Sequence, residues 1–129
     1  PHVDLARERK VGDFVRGLIR DGVVTASHDL SDGGLAVALA EMAMASGIGA
    51  TVELPAGADM LASLFGEDQG RYLITVKASD ADAIAAVPGV SVTRLGVTGD
   101  SSLKLGNARA IPVQALKDAH EGWFPAFMN

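Results

Sequence analysis

Apolar residues recur along the first twenty positions at Val11, Phe14, Val15, Leu18 and Ile19, the i, i+3, i+4, i+7, i+8 spacing of an amphipathic helix over residues 4–20. Asp21-Gly22 ends that pattern, and the β-branched run Val23-Val24-Thr25-Ala26-Ser27 predicts a short buried strand. A second helix is predicted over 32–46. Its Leu35, Ala38, Leu39, Met42 and Ala43 share one face, while Val37, Ala40 and Met44 make the opposite face nearly as apolar. Such a helix is expected to be covered on more than one side or to lie in an interface. Gly47 suits its C-cap.

Further on, the pattern predicts a strand over 48–54 closed by Pro55 and a short helix over 58–65. A strand over 71–76 and a helix from Ser79 to about Val87 follow, the latter capped by Ser79-Asp80-Ala81-Asp82 and stopped by Pro88-Gly89. Strands are then predicted over 90–97, 102–105 and 108–111, the last two as a hairpin through Gly106-Asn107. Pro112 at the first helical position opens a last helix through about His120, followed by an apolar tail from Trp123 to Met128. Helices and strands thus alternate with crossovers, with a hairpin late in the chain. The expected fold class is α+β, a mixed α/β layering of a mixed sheet with helices, in a single domain spanning 1–129.

Composition narrows the function classes. The chain has 129 residues, 48% of them hydrophobic and 21% charged, which suits one folded domain with a core. A net charge of −5 without a cluster of Lys and Arg argues against nucleic-acid binding. Arg7, Arg9 and Lys10 interleave with Asp4 and Glu8, as on a solvated helix face. No apolar run is long enough to span a membrane and no secretory leader pattern opens the chain, so a cytoplasmic location is expected. The absence of cysteine excludes disulfides, iron–sulfur clusters, thiolate zinc sites and cysteine nucleophiles.

Two segments concentrate the candidate chemistry. In ASHDLSDGGL, residues 26–35, a strand delivers His28 and Asp29, and Gly33-Gly34 lets the backbone turn sharply before a helix whose N–H groups could face an anion. Ser31 or Asp32 also suits an N-cap, which would make the stretch a plain helix start, and the Asp32 carboxylate opposes a bare phosphate. His28 and Asp29 are strand neighbours and should point to opposite faces rather than pair. His2, His28 and His120 show no metal-ligand spacing, and no G-x-S-x-G elbow is present. The second segment, LFGEDQGR at 64–71, sets Glu67, Asp68 and Gln69 on a loop entering a strand.

SHDLSDGGLAVALAEMA followed about thirty residues later by LFGEDQGRYLITV resembles the C-terminal domain of the phosphoribosylformylglycinamidine synthase family, within the aminoimidazole ribonucleotide synthetase C-terminal-domain superfamily. The opening VDLARERKVGDFVRGLI, the late hairpin and the aromatic tail extend the likeness over essentially the whole chain. The shorter motif alone also fits relatives such as selenophosphate synthetase. The resemblance implies an aminoimidazole ribonucleotide synthetase C-terminal-domain-like fold. It implies a role as the last domain of a longer ATP-dependent ligase that makes formylglycinamidine ribonucleotide from formylglycinamide ribonucleotide and glutamine-derived ammonia. ATP and Mg2+ would belong to upstream domains, with no cofactor, metal or catalytic residue expected in the isolated domain. Implied partners are the upstream domains, a separate glutaminase subunit and a small bridging subunit, with a homodimer of the fragment as a further option.

By the same resemblance His28, Asp29, Ser31, Asp32, Gly33, Gly34, Glu67 and Gln69 match substrate-contacting motifs of the family's first half. There the His28 position carries glutamine and the Asp32 position a small residue. The stretch is therefore expected to be an auxiliary ligand turn, kept chiefly as a strand-to-helix joint.

Overall fold

The computed structural model describes residues 3–54, 56–57 and 59–128. Pro55 and Ala58, expected to close a strand and open a helix, lie outside the described residues, as does His2. The described residues form the expected α+β mixture, and their contacts divide the chain into two compact units: Pro1–Ala38 with Asp59–Arg94, and Leu39–Ala58 with Leu95–Asn129.

The first unit begins with α1 (Leu5–Arg20), whose N-cap Asp4 accepts hydrogen bonds from the N–H groups of Ala6 and Arg7 at 3.1 and 3.0 Å. Its amphipathic spacing buries Val15. It ends where expected, because Gly22 takes φ +71° and lets Gly22 N–H reach the Ile19 carbonyl and Val23 N–H the Leu18 carbonyl, both at 3.0 Å. Strand β1 (Val24–Asp29) pairs antiparallel with β3 (Tyr72–Val76) in a two-stranded sheet. A register shift between Val24 and Ala26 is held by the Thr25 hydroxyl, 2.7 Å from the Thr75 hydroxyl and 3.1 Å from the Thr75 carbonyl. Between these strands in sequence come α2 (Gly34–Ser46) and α3 (Met60–Phe65), the latter capped by Asp59, whose Oδ1 accepts from the N–H groups of Leu61 and Ala62. Helix α4 (Ala78–Ala85) follows β3 and buries Ile84. Its N-cap is Lys77 rather than the Ser-Asp segment, and it stops two residues short of Val87.

Helix α2 belongs to the first unit through Ala38 and to the second from Leu39. Leu35, Ala38, Leu39 and Ala43 are buried, Met42 and Met44 half-buried, and Val37 exposed. Gly47 closes the helix at φ +72°, its N–H on the Ala43 carbonyl at 2.8 Å.

In the second unit four short strands run in the order β4-β2-β5-β6: β2 (Ala50–Val52), β4 (Gly96–Thr98), β5 (Ser102–Leu105) and β6 (Ile111–Pro112). β2 pairs antiparallel with β4 and parallel with β5, and β5 pairs antiparallel with β6. Three expectations are corrected here. The strand predicted over 90–97 is regular only at Gly96–Thr98, because its partner β2 offers just three residues. The hairpin forms, but its return strand is only Ile111–Pro112, which puts Pro112 in the sheet opposite Ser102 instead of at a first helical position. Proline is tolerated there because β6 is an edge strand. Finally, α5 (Val113–Met128) does not stop near His120; it continues through Pro125. That continuation sets Trp123 and Phe127 four residues apart on one face, with rings stacked at 5.4 Å.

Candidate functional site

Antiparallel pairing of β1 with β3 brings the end of one strand beside the start of the other, so the two candidate segments meet at one end of this sheet. Asp29 lies opposite Tyr72 and His28 opposite Leu73. The ladder continues one step past the strands, with the Leu30 N–H on the Arg71 carbonyl at 3.0 Å. Buried Leu30 then anchors the chain before it turns, and buried Leu35 anchors it after. Held between these two, Ser31 and Asp32 are exposed.

Strand β1 extends two residues beyond the predicted Ser27, so His28 and Asp29 are strand residues. Their relation also differs from expectation. The His28 ring leans along the strand and its Nδ1 lies 2.6 Å from the Asp29 backbone carbonyl and 3.7 Å from the Asp29 carboxylate. A carbonyl accepts only, so in this hydrogen bond Nδ1 carries the proton, and in the neutral ring Nε2 is left as the acceptor.

The helix start is built differently from the predicted cap. α2 begins at Gly34, two residues later than predicted, and Ser31 and Asp32 form the turn ahead of it. Gly33 and Gly34 both take positive φ, +79° and +65°. Gly34 N–H bonds the Ser31 carbonyl at 3.1 Å, which tightens the turn. The Gly33 N–H goes to the other segment: it donates to the Glu67 carboxylate Oε1 at 2.8 Å across 34 residues of sequence. Glu67 thus satisfies an amide that the sequence reading had left to an N-cap or an anion. Close backbone approach makes this possible, because a Cβ on Gly34 would stand 2.8 Å from the Gly66 carbonyl oxygen and 2.9 Å from that of Leu64.

Arg71 supports the same loop from its far end, its Nη1 donating to the Gly66 carbonyl at 3.2 Å and standing 3.9 Å from the Asp68 carboxylate. Arg71 is not among the candidate residues of the sequence analysis; its position between a Gly-containing loop and a strand is the available signal. Gln69 sits exposed on the turn completed by Gly70 at φ +69°.

The structure therefore joins Gly33 to Glu67, sets Gly34 against the main chain of Leu64, Phe65 and Gly66, and places His28, Asp29, Ser31, Asp32 and Gln69 on the same end of the sheet or its connecting loops. Chemically, the helix entry carries the Glu67 carboxylate on one N–H with Asp32 next in the chain. Negative charge at this turn opposes a bare phosphate and suits hydroxyl or amide groups of a ligand. Among the described residues, no group of three or more His, Cys, Asp or Glu side chains could hold a metal ion. Nor is any helix long and apolar enough to cross a membrane.

Glu67→Ala is expected to lower stability by about 1 kcal/mol through loss of the hydrogen bond between the two segments. Urea denaturation checks it, and unchanged stability would show that the amide has another partner.

Comparison with known proteins agrees with the fold and the motifs. The family model for the AIR synthase related protein C-terminal domain matches residues 1–105. The chain is 62% identical, over its full length, to the phosphoribosylformylglycinamidine synthase subunit PurL of Sinorhizobium fredii (strain HH103), and 61% identical to that of Chelativorans sp. (strain BNC1). It spans about 18% of the length of each. Among solved structures, PurLQS from Thermotoga maritima superposes with a TM-score of 0.78 over 90% of this chain and 22% of that one, at 18% identity. Thermotoga maritima PurL complexed with FGAR gives 0.71 over 84% of this chain and 20% of that one, at 19% identity. With its two sequence motifs joined at one end of the sheet, an aminoimidazole ribonucleotide synthetase C-terminal-domain-like fold and a family match over most of its length, the chain belongs to the AIR synthase related protein C-terminal domain family.

Proposed function

We propose that residues 1–129 act as the last C-terminal domain of a longer PurL-type phosphoribosylformylglycinamidine synthase subunit. That enzyme would use ATP to join glutamine-derived ammonia to formylglycinamide ribonucleotide, forming the amidine in purine biosynthesis. The hydrogen bond from Gly33 N–H to Glu67 carries this reading, because it joins the two segments whose combination characterises the family. Full-length identity of 62% to a PurL subunit supports it.

On this reading the domain binds and positions without catalysing alone. His28, Asp29, Ser31, Asp32 and Gln69 would offer polar groups at the sheet end, while Gly33, Gly34 and Glu67 hold the turn in shape. Thermotoga maritima PurL has been solved with AMPPCP, ATP and ADP, which supports nucleotide use by the longer protein. By the family resemblance Mg2+ and the ATP phosphates would be held by upstream domains. A cytoplasmic location and assembly with a glutaminase subunit and a small bridging subunit complete the reading.

A chimera tests it: this chain replaces the matching 18% of the Sinorhizobium fredii subunit, and amidine formation is measured. The chimera is expected to be active and the isolated chain to hydrolyse no ATP with substrate and ammonia. Turnover by the isolated chain, or a folded but inactive chimera, would overturn the proposal.

A second reading, a packing module that works by docking, is favoured by the end of α5. Trp123, Phe124, Phe127 and Met128 there are each 60% or more exposed. Sedimentation of the chain separates the two: self-association favours docking, and a strict monomer counts against it. A C-terminal domain of a related synthetase, for aminoimidazole ribonucleotide or selenophosphate, would instead give a chimera without amidine synthesis.

A further inference from the structure

The chain contains two Asp-Gly steps, Asp21-Gly22 and Asp32-Gly33; both aspartates are exposed, Gly22 is exposed and Gly33 half-buried. At such a step the glycine nitrogen can attack the preceding side-chain carboxyl, since no Cβ shields it. What holds the attacking N–H differs between the two. Gly22 N–H donates to the Ile19 carbonyl at 3.0 Å, within the motif that closes α1, and a carbonyl oxygen is a very weak base. Gly33 N–H donates to the Glu67 carboxylate at 2.8 Å, so a base is already aimed at the proton the attacking nitrogen must lose.

We propose that Asp32-Gly33 is a site of spontaneous succinimide formation and isoaspartate modification, with Glu67 as the general base. The Gly33 nitrogen forms a bond to Cγ of Asp32, taken in its protonated form, as the amide proton passes to Glu67. The Cγ–Oδ bond then breaks, and the oxygen leaves as water with its own proton and the one returned from Glu67. Water next adds to the main-chain carbonyl carbon of Asp32 in the ring, and the bond from that carbon to the Gly33 nitrogen breaks. The chain then runs through Cγ, with the atoms lost at closure restored.

The fold maintains the susceptible step. Gly33 sits at φ +79°, and a Cβ there would lie 2.3 Å from Val37 Cγ2 and 2.8 Å from Val37 Cβ, so a side chain is strained in conformation and crowded in space. The product adds a methylene to the main chain inside the turn that joins β1 to α2. It therefore shifts the Gly33 N–H relative to Glu67 and relaxes the joint between the two candidate segments.

The test incubates the purified chain at neutral pH and physiological temperature and resolves aspartate from isoaspartate by peptide mapping, with enzymatic methylation of isoaspartyl carboxyls as a second readout. Isoaspartate is expected to accumulate at Asp32 about tenfold faster than at Asp21. Glu67→Gln keeps an acceptor for the Gly33 N–H but removes the base, and is expected to bring Asp32 down to the rate of Asp21 while Asp21 stays unchanged. Equal rates at the two steps in the native chain, or an unaltered rate at Asp32 in Glu67→Gln, would overturn the proposal. So would acceleration in Glu67→Ala, since that would make Glu67 a shield for the amide.

Discussion

Gly34→Ala is expected to destabilise the chain by about 3 kcal/mol or more, a left-handed backbone and a steric clash acting together. The residue takes φ +65°, a conformation that costs an L side chain about 1–2 kcal/mol. Its added Cβ would also fall 2.8 Å from the Gly66 carbonyl oxygen, 2.9 Å from the Leu64 carbonyl oxygen and 2.9 Å from the Phe65 carbonyl carbon. All three are main-chain atoms, so no rotamer change relieves the contact. The end of α3 must move from the start of α2, and that displacement carries Glu67 away from the Gly33 N–H.

Gly47→Ala isolates the second cause from the first. Gly47 has a similar φ, +72°, but nothing lies within 4 Å of its Cβ position, so its substitution should cost only about 1–2 kcal/mol. Urea denaturation of both variants, with Gly33 amide exchange as a local readout, checks the difference. If the two variants lose equal stability, the backbone approach at Gly34 is loose and the joint between the segments is not held by it.

Much of the helical framework is legible in the residue pattern because its determinants are local. The run from Val11 to Leu18 marks the inward stripe of α1, with Val15 buried and Val11, Phe14 and Leu18 half-buried while Ile19 stays exposed, and Gly22 supplies the left-handed step that closes it. Gly47 does the same for α2. The second-unit sheet is less legible, since β2 is three residues long and takes its partners from beyond residue 95, one antiparallel and one parallel. No local pattern announces such a pairing. Pro125 reads locally as a helix breaker, yet the stacked Trp123 and Phe127 lie on either side of it in a continuous helix.

The candidate site shows the same division. Both segments stand out by composition, and the polar residues named from them lie at one end of the sheet. Their coupling does not stand out, because Ser31 and Asp32 offered a locally sufficient N-cap. The amide at Gly33 is instead satisfied by Glu67, a partner that only the pairing of β1 with β3 and the close approach at Gly34 bring within reach.

Leu103→Ala is the corresponding large effect in the second unit, with an expected loss of about 3 kcal/mol. Leu103 lies on β5, an interior strand, opposite Ala50 of β2 on one side and Ile111 of β6 on the other. It is 3% exposed, and its truncation removes apolar atoms from a position that paired strands on both sides prevent from collapsing. Val52 and Val113, at 4% and 3% exposure, are also buried in this unit, and their stiff β-branched side chains adjust little to a void. Lys104, the next residue, is exposed on the other face of the strand, so Lys104→Ala should change stability by no more than about 0.5 kcal/mol. Denaturation followed by far-ultraviolet circular dichroism compares the pair. A loss at Leu103 no greater than that at Lys104 would mean that the short strands of this unit do not enclose a packed core around β5.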